Sequence, residues 1–495
     1  MGQQLVKRKW YSGMLSTEDW WSVWISFFFV FLGLLSLANI DLVGWIGYPK
    51  TWVGFSGDYH IGGSIKALGK GYEGLGFWSI PVSFLIFTVP FGIAAKFMKW
   101  DLKKFLMAWA IIFFLTYLIW IIGNHAFFSA NQINKAKYGL STVLSLGGGG
   151  AFILALTVGL VIGNFFKKTA RFLSAAAKPE LFIKIAIVFL GVKVGYLAFK
   201  ASGFIFDLAI AGAAATIVAY LIFWPGVYLI ARKVFKFPRK TSAVVSSAIS
   251  ICGVSAAVAT AGAVRAKPLI PVMVSALIVV YAVIELVIIP PIFTNTLIDE
   301  PVVAGAAMGM AIKTDGADAA AGAIMDEMMR NKKQNMDGTV WEEGFITTSA
   351  IMTKIWIDMF IGLWAFLLAM IWVYKIDKIP GERVLPSEIW HRFPKFVLGY
   401  FVSWFVYLAI LFIQPEFGDE AKIGAVPVEK GMRKLFFMLT FLSIGIITDF
   451  KKLAQAKFGK MVLLYMVALF VFIIPIALLV AWIFHHGMEV PLVSN

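Results

Sequence analysis

A single cysteine, Cys252, among 495 residues excludes an internal disulfide. The five histidines are scattered without metal-ligand spacing, so no structural metal site is expected. Charge is scarce too: 15% of residues are charged against 60% hydrophobic, and mean hydropathy is +0.83. A soluble fold with this balance would leave large apolar patches in water. The run Gly147 to Gly150 is not followed by Lys-Ser or Lys-Thr, so it reads as a flexible lead into a helix and not as a phosphate loop. With no cofactor motif and no large polar domain, neither a cofactor nor an enzyme activity is expected. Strand-like alternation is missing as well, which excludes a β-barrel.

What the chain has instead is recurring runs of about 20 apolar residues, each long enough to cross about 30 Å of hydrocarbon as a helix. The fold class is therefore an all-α polytopic membrane protein. Thirteen spans are expected, at 19–47, 76–97, 105–124, 146–166, 183–202, 206–233, 241–264, 268–295, 301–325, 345–376, 396–414, 431–450 and 460–486. The first run is too long for a cleavable signal and should stay as a helix.

The formal charge of +16 is spread in short clusters between spans, so it reads as a topology signal and not as a nucleic-acid surface. The positive-inside rule places Lys7, Arg8 and Lys9 in the cytoplasm. Further clusters at 96–104, 167–178, 232–240, 375–395 and 451–460 then also fall inside, and the acidic loop Glu416, Asp419, Glu420 and Glu429 falls outside. Arg330, Lys332 and Lys333 are the exception, landing outside. The expected location is the inner membrane, with the C-terminus outside.

The first three spans, within 1–140, are rich in Trp and Phe and read as a lipid-facing accessory unit. The other ten are crowded with small residues that let backbones approach closely. They divide into 141–295 and 301–486, entering from opposite sides, which is an inverted-repeat transporter core. An echo between Val188-Phe-Leu-Gly-Val-Lys-Val-Gly195 and Leu442-Ser-Ile-Gly-Ile-Ile-Thr-Asp449 does not fit that register.

Two stretches carry the candidate chemistry. Ser246 to Ala257, running on through Thr260, is polar inside an otherwise greasy span. Gly253 permits unwinding there, while Ser250 and Ser255 can replace lost backbone hydrogen bonds. A discontinuous helix would aim half-helix N–H groups at an anion in the bilayer centre, and close helix packing through small residues is the equal alternative. The stretch Gly309 to Asp318 places Lys313, Asp315 and Asp318 in a span of Ala and Met. Buried charges cost about 2.5 to 3.5 kcal/mol each on insertion scales, so they either pair with one another or serve an ion or substrate. Lys193, Glu285, Lys354 and Asp358 are further intramembrane charges, with Lys193–Glu285 and Lys354–Asp358 as candidate structural pairs. Cys252 reads as a packing residue, since no His or carboxylate stands at fixed spacing from it.

Taken in order, Phe152 to Asn164, Ile187-Val-Phe-Leu-Gly-Val192, Ser250-Ile-Cys-Gly-Val-Ser-Ala256, Lys354, Phe393-Pro-Lys-Phe-Val-Leu-Gly399 and Ser443-Ile-Gly-Ile-Ile-Thr-Asp449 resemble the proposed sulfate exporter (YeiH-type) family. The resemblance covers about 141–486. It implies a secondary transporter of the cation–proton antiporter and bile-acid-symporter fold, with panel and core subdomains and crossed broken helices. Two positions depart from the family pattern. A His-Asp pair is usual near Lys313-Thr314, and an Arg three residues after Lys354, where this chain has Ile357. Lys313 would keep an anion-attracting charge without a histidine's titration near neutral pH.

The expected function is secondary active transport of a small anion, sulfate or a sulfonate for example, by alternating access. Ser250, Gly253, Ser255, Lys313 and Lys354 would bind the anion, and Asp315 and Asp318 would carry the coupling ion, a proton or sodium. The alternatives are a sodium–proton antiporter and a membrane scaffold subunit. Expected partners are the substrate, the coupling ion and the lipid bilayer, without nucleic acid, and with room for a homo-oligomer.

Overall fold

The computed structural model describes residues 13–130, 135–144, 149–200, 202–267, 269–377, 390, 393–451 and 459–493. Lys7, Arg8, Lys9, Gly147, Gly148, Lys378, Arg383, Arg392, Lys452 and Lys457, weighed above, lie outside the described residues.

The chain is nearly all helix. In order come α1 (Glu18–Leu34), α2 (Ser79–Phe97), α3 (Leu102–Gly123), α4 (Gly149–Phe165), α5 (Lys167–Leu173), α6 (Pro179–Lys200), α7 (Ser202–Leu229), α8 (Arg239–Ser250), α9 (Gly253–Ala263) and α10 (Leu269–Thr296). Then follow α11 (Pro301–Ala311), α12 (Asp315–Asp337), α13 (Phe345–Met359), α14 (Ile361–Met370), α15 (Lys395–Ile413), α16 (Gly418–Val426), α17 (Arg433–Ile447), α18 (Gly459–Met466) and α19 (Ile474–His485). A two-stranded antiparallel ribbon, β1 (Gly47–Pro49) and β2 (Ile65–Ala67), follows α1. Among the described residues seven helices are long and apolar enough to cross a membrane, and the bent pair α4 and α5, at 117°, makes an eighth.

Eight of the thirteen expected spans coincide with these helices, and those at 183–202, 241–264, 268–295, 301–325 and 431–450 do not. Three of the expected spans also differ in their course. The span expected over 19–47 stops early, because α1 gives way to a short 3₁₀ turn at Leu35–Ala38 and Asn39 then takes a left-handed φ of 61°. The helices expected at 241–264 and 301–325 each break part-way and reverse. In the first, Ile251 and Cys252 leave helical geometry (φ −115° and −140°), and the chain folds back on itself. Thr260 in α9 donates to Ser247 in α8 at 2.7 Å, although 13 residues separate them. A continuous helix would hold that pair about 20 Å apart. Together α8 and α9 form a re-entrant hairpin with its tip at Ile251–Cys252.

The second hairpin is read from its contacts with α13. Gly305 and Gly309 of α11 abut Ile346–Ser349 and Ala350–Thr353, so α11 runs parallel to α13. On the return arm, Gly322 abuts Thr347 and Ala350, and Asp326 accepts from the N–H groups of Gly344 and Ile346, so α12 runs antiparallel to α13. The turn is at Ile312–Thr314, where both named residues adopt extended ψ values (131° and 139°). Thr314 closes it, its hydroxyl accepting from Ala317 N–H at 3.2 Å as the N-cap of α12.

The hairpins enter from opposite faces. Lys240, at the start of α8, pairs with Asp377 beyond α14 at 2.9 Å. Glu300, at the start of α11, pairs instead with His486 at the end of α19, at 2.7 Å. Because two segments double back, every span after the second keeps the direction a straight count gives it, and only α10, between the hairpins, is reversed.

The echo noted in the sequence now has a place. Gly191 of α6 presses on the Tyr400 carbonyl of α15, and Gly445 of α17 presses on Gly159 of α4. Taken as α15, α17, α19, second hairpin, α13, the C-terminal half runs opposite, element by element, to α4, α6, α7, first hairpin, α10. In that rotated order α6 and α17 take the same place, so the two echoed segments fall on corresponding helices.

The first three helices are more than a lipid-facing fringe. Phe29, Phe87, Phe91 and Trp109 are fully buried, and their rings meet Phe182, Phe189 and Phe436 at centroid distances of 5.3–6.5 Å. Asp19 ties α1 to Lys184 (3.4 Å) and to the backbone N–H of Lys395 (2.5 Å). Gly33 and Gly424 approach so closely that a Cβ on Gly424 would lie 1.8 Å from the Gly33 carbonyl oxygen.

Candidate functional site where the hairpin tips meet

The two tips touch in the middle of the helix bundle. Gly253 donates its backbone N–H to the Lys313 carbonyl at 2.5 Å, so each interruption satisfies part of the other's unpaired backbone. Only glycine fits there, since a Cβ at 253 would sit 2.5 Å from Ile278 Cγ2 and 3.1 Å from Lys313 O. Four helix ends converge at this point. The C-terminal ends of α8 and α11 carry partial negative charge, and the N-terminal ends of α9 and α12 partial positive charge.

The buried cations answer the negative ends. Lys354 donates to the Ile251 carbonyl at 2.8 Å, and Lys313 donates to the Met310 carbonyl while its ammonium lies 5.5 Å from the centre of the Phe223 ring. The carboxylates answer the positive ends, Asp315 being the first residue of α12 and Asp318 lying within its first turn. Lys354 also stands 3.9 Å from Asp315 and 3.8 Å from Asp358. The Lys354–Asp358 pair anticipated from sequence is thus present, and a third member, Asp315, joins it.

Each candidate residue has a definite place. Ser250 ends α8 with a buried hydroxyl that has no hydrogen-bond partner among the described residues, and Ser255 is half-buried in the first turn of α9. Gly253, Lys313, Lys354 and Asp315 converge at the tips. Asp318 is fully buried with neither oxygen hydrogen-bonded among the described residues. Buried polar atoms of this kind mark places where water or a ligand completes the bonding.

Sequence reasoning missed Cys252. Its thiol donates to Asp315 Oδ1 at 3.1 Å, and its Sγ with carboxylate oxygens of Asp315 and Asp358 forms a group whose atoms lie within 4.8 Å of one another. No fixed spacing links 252, 315 and 358, so only the fold joins them. The Lys193–Glu285 pairing is corrected: Lys193 faces Glu429 at 3.9 Å, and Glu285 accepts from the Tyr465 hydroxyl at 2.5 Å. The cations that break the charge rule are neutralised locally, Arg330 by Asp326 and Glu327, and Lys333 by Asp337 and Asp299. The Lys333 ammonium and the Thr339 N–H hold the exposed Asp337 carboxyl down to about 2. Spacings of three and four residues along α12 carried that signal.

A family model described as conserved hypothetical protein 698 matches residues 106–465, from α3 into α18, and a UPF0324 membrane protein of Nitrosomonas europaea is 53% identical over 484 residues, 98% of each chain. The chain belongs to the UPF0324 membrane protein family. A UPF0324 protein of Rhodopirellula baltica is 33% identical over 77% of this chain and 63% of its own. An uncharacterized protein of Archaeoglobus fulgidus is 42% identical over 30% of this chain and 89% of its own. A solved sodium proton antiporter from Methanocaldococcus jannaschii aligns with 73% of the chain and all of its own at 13% identity, but its TM-score of 0.15 carries no argument. The full-length match to the Nitrosomonas protein includes α1 and α2, so in the UPF0324 family the accessory helices are not peculiar to this chain.

Proposed function

We propose that this UPF0324 protein is a secondary active transporter, not an enzyme, that moves a small anion such as sulfate or a sulfonate by alternating access. The observation carrying the reading is the meeting of two oppositely inserted hairpins at a buried point that holds two cations and two helix N-termini. An anion there would take the free N–H groups at the start of α9, including that of Ser255, the Ser250 hydroxyl, and the charges of Lys313 and Lys354. Withdrawing one tip would open the site to one face while the other tip stays closed. Asp315 and Asp318 would carry the coupling ion. In this reading the protein sits in the inner membrane with the face bearing Lys240 in the cytoplasm, as the basic clusters there suggest. The test is radiolabelled sulfate flux in proteoliposomes. Flux above empty vesicles that collapses in Ser255→Ala/Lys313→Ala supports the reading, and absent flux or an unaffected variant refutes it.

One observation favours a second reading, sodium–proton antiport. The Cys252, Asp315 and Asp358 ligand atoms are close enough to hold a cation, but Lys354 already lies beside both carboxylates, so a cation would have to compete with its ammonium. Sodium-driven proton movement, followed with a pH dye and insensitive to anions, would select this reading instead.

A further inference from the structure

On the face where the second hairpin enters, the loop between α1 and α2 lies over the core and walls one side of an open cavity of about 650 Å³. One wall is the accessory unit, with Lys50, Lys66 and the segment after α3. The other is the core, with Arg330 of α12, Lys430 and Lys434. Six Lys and Arg residues line it against three carboxylates, Asp58, Glu327 and Glu343. Two of those acids are already engaged: Glu327 by Arg330 (2.9 Å), and Glu343 by Lys434 (2.9 Å).

The remaining cations are not so matched. Among the described residues, Lys50, Lys66, Lys137 and Lys430 have no carboxylate within ion-pair distance, and Lys137 and Lys430 only overlie the rings of Tyr59 and Tyr48. Burial and the repulsion of Lys66 and Lys430 pull the Lys50 ammonium below the ordinary lysine range. A cluster of uncompensated like charges in a concave, partly dry space is a standing cost that a bound anion relieves. The Tyr138 hydroxyl and the Asn124 amide also stand in the lining, the latter with one N–H already given to the Trp120 carbonyl, while the Ser64 hydroxyl donates to the Ile61 carbonyl at 2.7 Å. The lining is mostly polar and offers no groove for acyl chains, which favours a free solute over a lipid headgroup.

We infer that this vestibule is a second anion site, built jointly by the accessory unit and the core, that takes a phosphate- or sulfate-type oxyanion from solution. Its floor is the ion-pair group of Glu327, Glu343, Arg433 and Lys434, below which a narrow cleft continues to Thr347 at the start of α13. Its binding does not depend on the transport reading.

The test uses the full chain in nanodiscs of phosphatidylcholine, with inorganic phosphate and sulfate titrated calorimetrically against a chloride background. The wild type is expected to bind, and Lys50→Gln/Lys66→Gln/Lys430→Gln to weaken binding by about tenfold or more. The Lys→Arg version of the triple variant should retain affinity. Ser255→Ala/Lys313→Ala should keep the vestibule site, whatever it does to flux. Raising ionic strength should weaken binding. The inference is overturned if the Gln variant binds as the wild type does, or if Ser255→Ala/Lys313→Ala abolishes all binding. It is equally overturned if the lysines respond only to nanodiscs containing phosphatidylglycerol, with no binding of free phosphate.

Discussion

Replacing Lys354 by Met removes the one cation that the tip carboxylates share. Lys354 lies 3.9 Å from Asp315 and 3.8 Å from Asp358, and it also donates to the Ile251 carbonyl at 2.8 Å. At an effective dielectric of about 20, each charge pair at that distance contributes about 4 kcal/mol of gross attraction, most of it offset by desolvation. Taking away one member of a buried group leaves the other charges uncompensated, and the expected net loss is about 3–5 kcal/mol. Lys354→Met/Asp358→Asn should recover part of it, about 1–3 kcal/mol of coupling, because the orphaned charge goes with its partner. The assay is thermal inactivation in detergent micelles of wild type, both single variants and the double variant, followed by monodispersity at matched heating rates. Losses in the two single variants that simply add in the double variant would refute the shared-cation account. So would a Lys354→Met protein as heat-resistant as the wild type.

Gly253→Ala should destabilise the tip contact and abolish flux, since its Cβ would lie 2.5 Å from Ile278 Cγ2; normal flux in that variant would contradict the geometry. Gly424→Ala, whose Cβ would meet the Gly33 carbonyl oxygen at 1.8 Å, should loosen α1 and expose the loop after it to limited proteolysis without touching the tips. Cys252 is the only cysteine and is buried, so a membrane-permeant maleimide should leave it unlabelled at rest and modify it faster under transport conditions; labelling at one rate in both states would argue against tip opening. The Asp337 carboxyl, held down to about 2 from an ordinary 3.8, adds stability that is present above about pH 4 and lost as pH falls toward 2. Asp337→Asn should therefore differ from wild type at pH 5 and converge with it near pH 2, as read by melting in detergent.

Much of this arrangement is legible in the residues themselves. The apolar runs mark the membrane class, and Gly253 among serines and Lys313 to Asp318 among alanines mark the two interruptions, because polarity at those depths is costly. What the sequence does not display is the reversal at each interruption. A helix that is merely kinked and one that doubles back share the same composition, and Ser247 and Thr260 look like unrelated polar residues until their hydroxyls meet. Cys252 is hidden for the same reason, since its partners Asp315 and Asp358 come from two other elements. The accessory helices misled in the opposite direction: Phe and Trp suit lipid and protein cores equally, and only packing reveals that Phe87 and Phe91 face Phe182 and Phe436.

The opposite insertion of the hairpins has a mechanical consequence. Each is hinged to one face by both of its ends, so a tip can retract toward its own side without dragging any chain across the hydrocarbon. The bond from Gly253 to Lys313 then works like two bolts seated in one keeper. Drawing either bolt would break the same contact, but only the first tip is also tied to a neighbouring helix, by Lys354 of α13 on the Ile251 carbonyl, since the bond from Lys313 to the Met310 carbonyl lies within the second tip itself.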